Sequence, residues 1–126
     1  MIENSYATGS VSAFSGSLGG LVGQSNGLIN ASYSAGRLSD QGYDTGGLVG
    51  YDGHTGGITA AYWDTNTSGI ADLSRGAGNI SNDSGIAGLN TKQLRSGLPP
   101  GFGPDVWTEN RKLNSGLPYL RSLPPV

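Results

Sequence analysis

The segment Gly19-Gly20-Leu21-Val22-Gly23 recurs unchanged as Gly46-Gly47-Leu48-Val49-Gly50, 27 residues further along the chain. Self-similarity at a fixed period of roughly 20 to 50 residues is the sequence signature of repeat architectures. Such proteins stack one structural unit on the next, so that each unit covers its neighbour. The position of every other segment relative to this pentapeptide therefore predicts where it lies in the fold.

A second element, Ile-x-x-x-Tyr, follows the same period. Residues 2–11 match residues 29–38 at a spacing of 27, and a third copy begins at Ile58, 29 residues after the second. The two additional residues fall near 52–55. Three tyrosines occupy one position of this repeat and are predicted to stack in a ladder: Tyr6, Tyr33 and Tyr62.

Each element is short and is bounded by Gly, Ser, Asn or Asp, which is typical of strands between tight turns. In residues 29–35 every second residue is apolar, which predicts one buried face. The pentapeptide glycines are expected at corners, where the backbone has a positive φ or a close neighbour. Of the adjacent Leu21 and Val22, only one is expected to face inward, since strand side chains alternate.

A period of 27 residues with about three short strands fits one coil of a β-solenoid, in which stacked coils align identical residues. We therefore predict an all-β protein, a right-handed parallel β-solenoid (β-helix) of about three coils. A hairpin meander is the alternative use of the same strands. The predicted organisation is a solenoid over residues 1–65, an irregular Gly/Ser/Asn-rich connection over 66–89, and a C-terminal cap and linker over 90–126.

The composition excludes several classes of protein. Glycine contributes 23 of 126 residues and only 13% are charged, which disfavours helical bundles and coiled coils. Residues 1–74 carry a net charge of −5 and residues 75–126 carry +3, but the six cations of the second part are scattered, so no nucleic-acid partner is predicted. No apolar run is long enough for a membrane helix, so no membrane insertion is expected.

The repeat resembles the GLUG motif of large secreted bacterial surface proteins, notably filamentous-haemagglutinin-like adhesins of the two-partner secretion type. The segment 61–69, Ala-Tyr-Trp-Asp-Thr-Asn-Thr-Ser-Gly, is similar to the one that closes such arrays, and residues 88–94, 106–108 and 117–120 resemble their tail. The resemblance implies a secreted or cell-surface location, with the export signal outside this chain. It also implies an unidentified ligand, such as a cell-surface glycan or protein.

The C-terminal region breaks the repeat. Asn90 and Gln93 have the spacing of a capping box, which predicts a short helix over about 91–96, and short strands are expected near 106–109 and 117–120. We expect residues 90–120 to fold over the C-terminal coil with Trp107 buried and Trp63 near that end. The chain begins inside a repeat, which predicts a fragment of a longer solenoid that self-associates through open ends.

Catalytic chemistry has little support in the sequence. His54 is the single histidine and is expected in a solvent-facing loop, and no cysteine is present, so no cofactor or metal site is predicted. Asp52 and Asp64 are the candidate carboxylate pair of a polysaccharide-cleaving β-helix enzyme. The predicted function is non-enzymatic: the segment gives a large surface protein rigid reach and makes contact with host or neighbouring cells. The alternatives are a fragment of a polysaccharide-acting enzyme, a strip of tyrosines that stacks on carbohydrate, and a spacer without a ligand.

Overall fold

A computed structural model of the chain describes residues 1–13, 15–39 and 44–125. Its central feature is a parallel β-solenoid of about three coils, so the predicted all-β solenoid class is confirmed. Val126, the last residue of the predicted linker, lies outside the described residues.

The first and second coils each have four strand positions rather than the three that we predicted. The first coil contains β1 (Ile2–Glu3), β2 (Tyr6–Ala7), β3 (Val11–Ser12), β4 (Ser17–Gly19) and β5 (Val22–Ser25). The second contains β6 (Ile29–Ser34), β7 (Leu38–Ser39), β8 (Asp44–Gly46) and β9 (Val49–Asp52). The third begins with β10 (Ile58–Asp64) and continues through turns to Ala77, which bridges to Val49, and β11 (Ile86–Leu89) adds one more strand.

The pairing between coils reproduces the period seen in the sequence. Strands β1 and β2 pair with β6, β6 with β10 and β10 with β11, all in parallel. Ile29 is in register with both Ile2 and Ile58, and Val22 is in register with Val49. The two additional residues of the third repeat are absorbed in the turn between β9 and β10.

A column of left-handed residues changes which face the first strand of each coil buries. Asn4, Ala31 and Ala60 have φ values of 49°, 49° and 50° at equivalent positions. A left-handed residue within a strand interrupts the alternation of side chains. Ile29 therefore points into the solenoid, whereas Tyr33 packs outside it. Our prediction of a single buried face over residues 29–35 is wrong for this reason.

The interior of the solenoid is filled by aliphatic side chains and one indole. Leu48 and Val49 are both fully buried in it, and Leu21 and Val22 pack against the same cluster. The expectation that only one of two adjacent residues faces inward is wrong, because Leu48 lies in the bend and Val49 begins the next strand, so strand alternation does not apply to the two. The amide groups of Leu48 and Val49 donate to the same carbonyl oxygen, that of Gly76, at 3.0 and 3.1 Å.

The pentapeptide glycines are required by close contact and not by positive φ. None of them is among the described residues with positive φ. A Cβ atom on Gly47 would overlap the indole of Trp63, and one on Gly46 would overlap the carbonyl oxygen of Val49. Trp63 occupies the position that Ser34 holds one coil earlier, so it closes the interior near the last coil.

The C-terminal tail lies along the side of the solenoid. It contains α1 (Thr91–Arg95), β12 (Trp107–Thr108), a 3-10 turn (Asn114–Gly116) and β13 (Tyr119–Leu120), which pairs antiparallel with β12. The helix begins with the predicted capping box of Asn90 and Gln93. Residues 90–120 contact the third coil at Tyr62, and Trp107 is buried as we expected. The tail also extends over the first and second coils, where Trp107 contacts Tyr6 and Tyr33, so it does not cover the C-terminal coil alone.

Candidate functional site

The tyrosine ladder lies between the solenoid and the tail. Tyr6, Tyr33 and Tyr62 are in register, and the rings of Tyr6 and Tyr33 stack at 5.3 Å with an interplanar angle of 4°. Phe102 lies 6.2 Å from Tyr33 and 5.7 Å from Tyr62, and it stacks on Trp107 at 4.4 Å. The aromatic rings that could have stacked on carbohydrate are therefore engaged with one another.

Hydrogen bonds fix the tail on the ladder. The hydroxyl of Tyr33 donates to the carbonyl of Pro118 at 2.6 Å, and that of Tyr62 donates to the carbonyl of Pro100 at 2.7 Å. The amide of Asn114 donates to the Tyr33 hydroxyl at 3.1 Å. Burial raises the pKa of Tyr33 strongly, because ionisation would place a charge in an apolar surrounding.

The two tryptophans that we singled out belong to different clusters. Trp63 fills the solenoid interior, where its Nε1 donates to the carbonyl of Ile70 at 2.9 Å. Trp107 belongs to the tail cluster, where its Nε1 donates to Oδ1 of Asn4 at 3.3 Å. Both side chains are fully buried. Each therefore has a packing role that accounts for its size and for its polar atom.

The candidate enzymatic pair, Asp52 and Asp64, is not brought together as a pair. Asp64 is fully buried and accepts hydrogen bonds from the amides of Asn66 and Thr67 and from the hydroxyl of Thr91. These bonds join the end of β10 to the start of α1. His54 is exposed in the turn after β9, as we expected. Asp64 thus stabilises a turn and a helix start.

Asp52 faces a different carboxyl group, that of Asp83. The two side chains are 3% and 5% exposed, and the Oδ2 atom of each has no hydrogen-bond donor within the described residues. Burial and the adjacent Asp52 raise the pKa of Asp83 to about 7. Ionisation of Asp83 would place its charge in a buried site beside a second carboxyl group, which is unfavourable.

The sequence pattern did not indicate this pair. Asp83 lies 31 residues after Asp52, so it does not occupy the equivalent position of the next repeat. That position belongs to Asn79, whose side chain both accepts from the amide of Asp52 at 2.8 Å and donates to its carbonyl at 2.9 Å. A buried carboxyl group with raised pKa is a candidate acid for catalysis in an accessible cleft.

A groove of about 1100 Å³ lies between α1 and the loop before β13. Its lining consists of polar and charged side chains and one glycine: Asn66, Thr91, Lys92, Arg95, Ser96, Glu109, Asn110, Arg111, Ser115 and Gly116. Arg95 is anchored in it, because its Nε donates to the carbonyl of Ser115 at 2.7 Å. Burial raises the pKa of Glu109, opposed by a hydrogen bond from the Gly97 backbone.

Comparisons with known proteins give no match: no protein-family model, curated protein or solved structure is significantly similar to this chain. Over residues 1–13, 15–39 and 44–125, three or more His, Asp or Glu side chains nowhere gather as metal ligands would. In that same part of the chain, no helix combines the length and apolar character that a membrane span needs.

Proposed function

We propose that this chain is a non-enzymatic, structural and adhesive β-solenoid segment of a large secreted bacterial surface protein, similar to the filamentous-haemagglutinin-like adhesins that its repeat resembles. The observation that carries the proposal is the register between coils, which places repeated Ile, Tyr and pentapeptide residues over one another. Each added repeat lengthens such a solenoid by about 4.8 Å, the spacing of paired strands.

Rigidity supports this role. The interior is filled, and parallel strand pairing connects the first and second coils at four strand positions. The second and third coils are connected by the pairing of β6 with β10 and by the bridge between Val49 and Ala77. The tail adds a second apolar cluster on the outside. A segment that transmits contact over a distance needs this kind of continuous packing, because loosely connected coils would bend at every turn.

The buried pair of Asp52 and Asp83 offers only weak support for a polysaccharide-cleaving enzyme. Asp52 and Asp83 are both more than nine-tenths buried, so a glycan cannot reach them without a rearrangement of the chain. A glycoside hydrolase needs its two carboxyl groups on either side of a bound sugar, about 5 to 10 Å apart. We therefore favour adhesion over catalysis.

Labelling of intact cells tests the proposal. Antibodies raised against the folded chain are expected to bind unpermeabilised source cells, and beads coated with the chain are expected to adhere to target cells. Beads coated with heat-denatured chain serve as the matched control. Labelling that appears only after permeabilisation would refute the surface location, and equal adhesion of folded and denatured coatings would refute a specific adhesive role.

A further inference from the structure

The first coil is covered by another coil on one side only. Its strands, β1 to β5, pair with strands of the second coil and with no other described strand. The second coil is covered on both sides, because the third coil also hydrogen-bonds to its backbone. The amide of Gly47, for example, donates to the carbonyl of Arg75 at 2.8 Å. One end of the solenoid therefore presents an unpaired edge at all four strand positions of a coil.

Backbone groups along this edge lack a partner strand. In the second coil, the amide of Tyr33 donates to the carbonyl of Ser5 in the first coil at 3.1 Å. Tyr6 holds the equivalent position in the first coil. Within the described residues, no strand lies on that side to accept a hydrogen bond from its amide. Such a row of unpaired groups is a template for pairing with another chain.

The same edge leaves interior side chains half-covered. Four interior residues of the second coil are at most 7% exposed: Ile29, Leu38, Leu48 and Val49. Their equivalents in the first coil pack against the same core but are only partly buried: Ile2, Val11, Leu21 and Val22. A partner placed over the first coil would therefore bury apolar surface as well as pair strands, and burial of apolar surface is the main driving force of protein association.

The sequence does not guard this edge against association. Proteins commonly protect exposed strand edges with lysine, other charges or proline. Residues 1–36 contain no Lys, Arg or Pro, and Glu3 is the one acidic residue among them. The strands β1 to β5 are individually short, but one coil holds all of them in place, so that they can pair together.

The opposite end of the solenoid is built differently. Between β10 and β11, residues 66–83 form turns and bends and contain no named strand. These turns carry charged residues, among them Asp72 and Arg75. A head-to-tail stack of copies would place this irregular end over the first coil and leave most of its edge unpaired. Contact between two first coils, in contrast, matches an edge with an identical edge.

We propose that two copies of this chain associate through their first coils, with facing strands antiparallel about a two-fold axis. The same surface is used on both partners, so the contact is closed and assembly stops at the dimer. This inference goes beyond the proposed function and does not depend on it. It places the predicted association through open ends at one end, that of the first coil.

Sedimentation velocity of the full chain at concentrations up to about 100 µM tests this inference. The mass is expected to rise from 12.8 kDa to twice that value and no further. Val22→Lys places a charge that solvent reaches in the monomer but not in the dimer, and is expected to raise the Kd about tenfold or more. Leu73→Lys makes the same change of charge in the turns of the third coil, at a residue that is 66% exposed, and is expected to leave the Kd within about twofold.

Hydrogen exchange locates the contact. Amides in residues 1–12 are expected to exchange more slowly in concentrated than in dilute solution, whereas those in residues 66–83 are expected to be unchanged. The inference is overturned by a monomer at every concentration, by a mass that continues to rise beyond the dimer, or by equal weakening in Val22→Lys and Leu73→Lys. Thermal melts control for misfolding, and Val11→Lys is a second edge variant if Val22→Lys does not fold.

Discussion

Replacement of Asp83 by asparagine is expected to stabilise the protein at pH 8. In the native chain, Asp83 and Asp52 face each other while more than nine-tenths buried, and the pKa of Asp83 is raised from 3.8 to about 7. At pH 8, above this pKa, the Asp83 carboxyl group is ionised in a buried site beside Asp52. Asparagine removes one charge and offers an N–H donor to the Asp52 oxygen that lacks one.

The magnitude follows from proton linkage. The folded pKa of Asp83 exceeds its unfolded value, so the folded chain binds this proton more tightly. The stability contributed by this proton is complete below about pH 4 and is lost as the pH rises to about 7. A pKa difference of about 3 corresponds to about 4 kcal/mol at about 1.36 kcal/mol per pKa unit, which sets the order of magnitude of the gain in Asp83→Asn at pH 8.

Urea unfolding followed by circular dichroism at pH 5, 6, 7 and 8 measures the effect. The wild-type free energy of unfolding should fall across this range more steeply than that of Asp83→Asn, and Asp52→Asn should flatten the curve in the same way. Asp105→Asn, a change of the same kind at an exposed residue, should retain the wild-type slope. A wild-type slope in Asp83→Asn, or lower stability than wild type at pH 8, would refute the raised pKa of Asp83.

Three further substitutions test the packing of the fold. Gly47→Ala should lower the free energy of unfolding by about 2 kcal/mol or more in urea titrations, because its Cβ would overlap the interior indole, whereas Gly27→Ala, which meets nothing within 4 Å, should change it little. Trp107→Ala should lower the free energy of unfolding by about 3–5 kcal/mol, whereas Val106→Ala at the neighbouring residue, which is 38% exposed, should lower it by under about 1 kcal/mol; equal losses would contradict the burial of Trp107 between the tail and the solenoid. Tyr33→Phe should cost about 1–3 kcal/mol by the same titration, since it leaves the Pro118 carbonyl and an asparagine amide with one partner fewer; a neutral result would show that these hydrogen bonds contribute nothing.

The parallel solenoid and its register could be predicted because stacked coils must align identical residues. A spacing of 27 between the two pentapeptides is sufficient to pair Val22 with Val49, and the extra two residues near 52–55 require a longer turn before β10. The short helix was also predictable, because its capping box is a local interaction between Asn90 and Gln93.

The choice of buried face could not be predicted from alternation alone. One left-handed alanine, Ala31, inverts the pattern, and because alanine disfavours this conformation, its sequence gives no sign of it. The hydroxyl groups of the tyrosines offered one signal that their side chains face outward. A buried tyrosine needs a hydrogen-bond partner, and a solenoid interior lined by Ile and Leu has few such partners. An outward-facing ladder satisfies Tyr33 and Tyr62 from the tail.

The groove and the carboxyl pair were missed for a related reason. Both depend on the placement of segments that do not repeat, and the periodicity of the sequence gives no information about that placement. Asp83 follows the last regular position of the third coil, and Arg111 and Lys92 meet only because the tail runs back beside α1. The scattered cations of residues 75–126 gave no dense stripe in the sequence, although three of them converge in the folded chain.

The path of the tail changes how this solenoid should fold and withstand force. In most repeat proteins each unit touches only its neighbours, so the ends fray independently and contact order is low. Here Trp107 reaches back to Asn4, across 103 residues of sequence, while Tyr62 is joined to Pro100. The first coil therefore cannot peel away without breaking the tail cluster. We therefore expect a single cooperative unfolding transition and slow folding. Under a force applied along the solenoid axis, we expect the contacts between the tail and the coils to resist in shear before any coil opens.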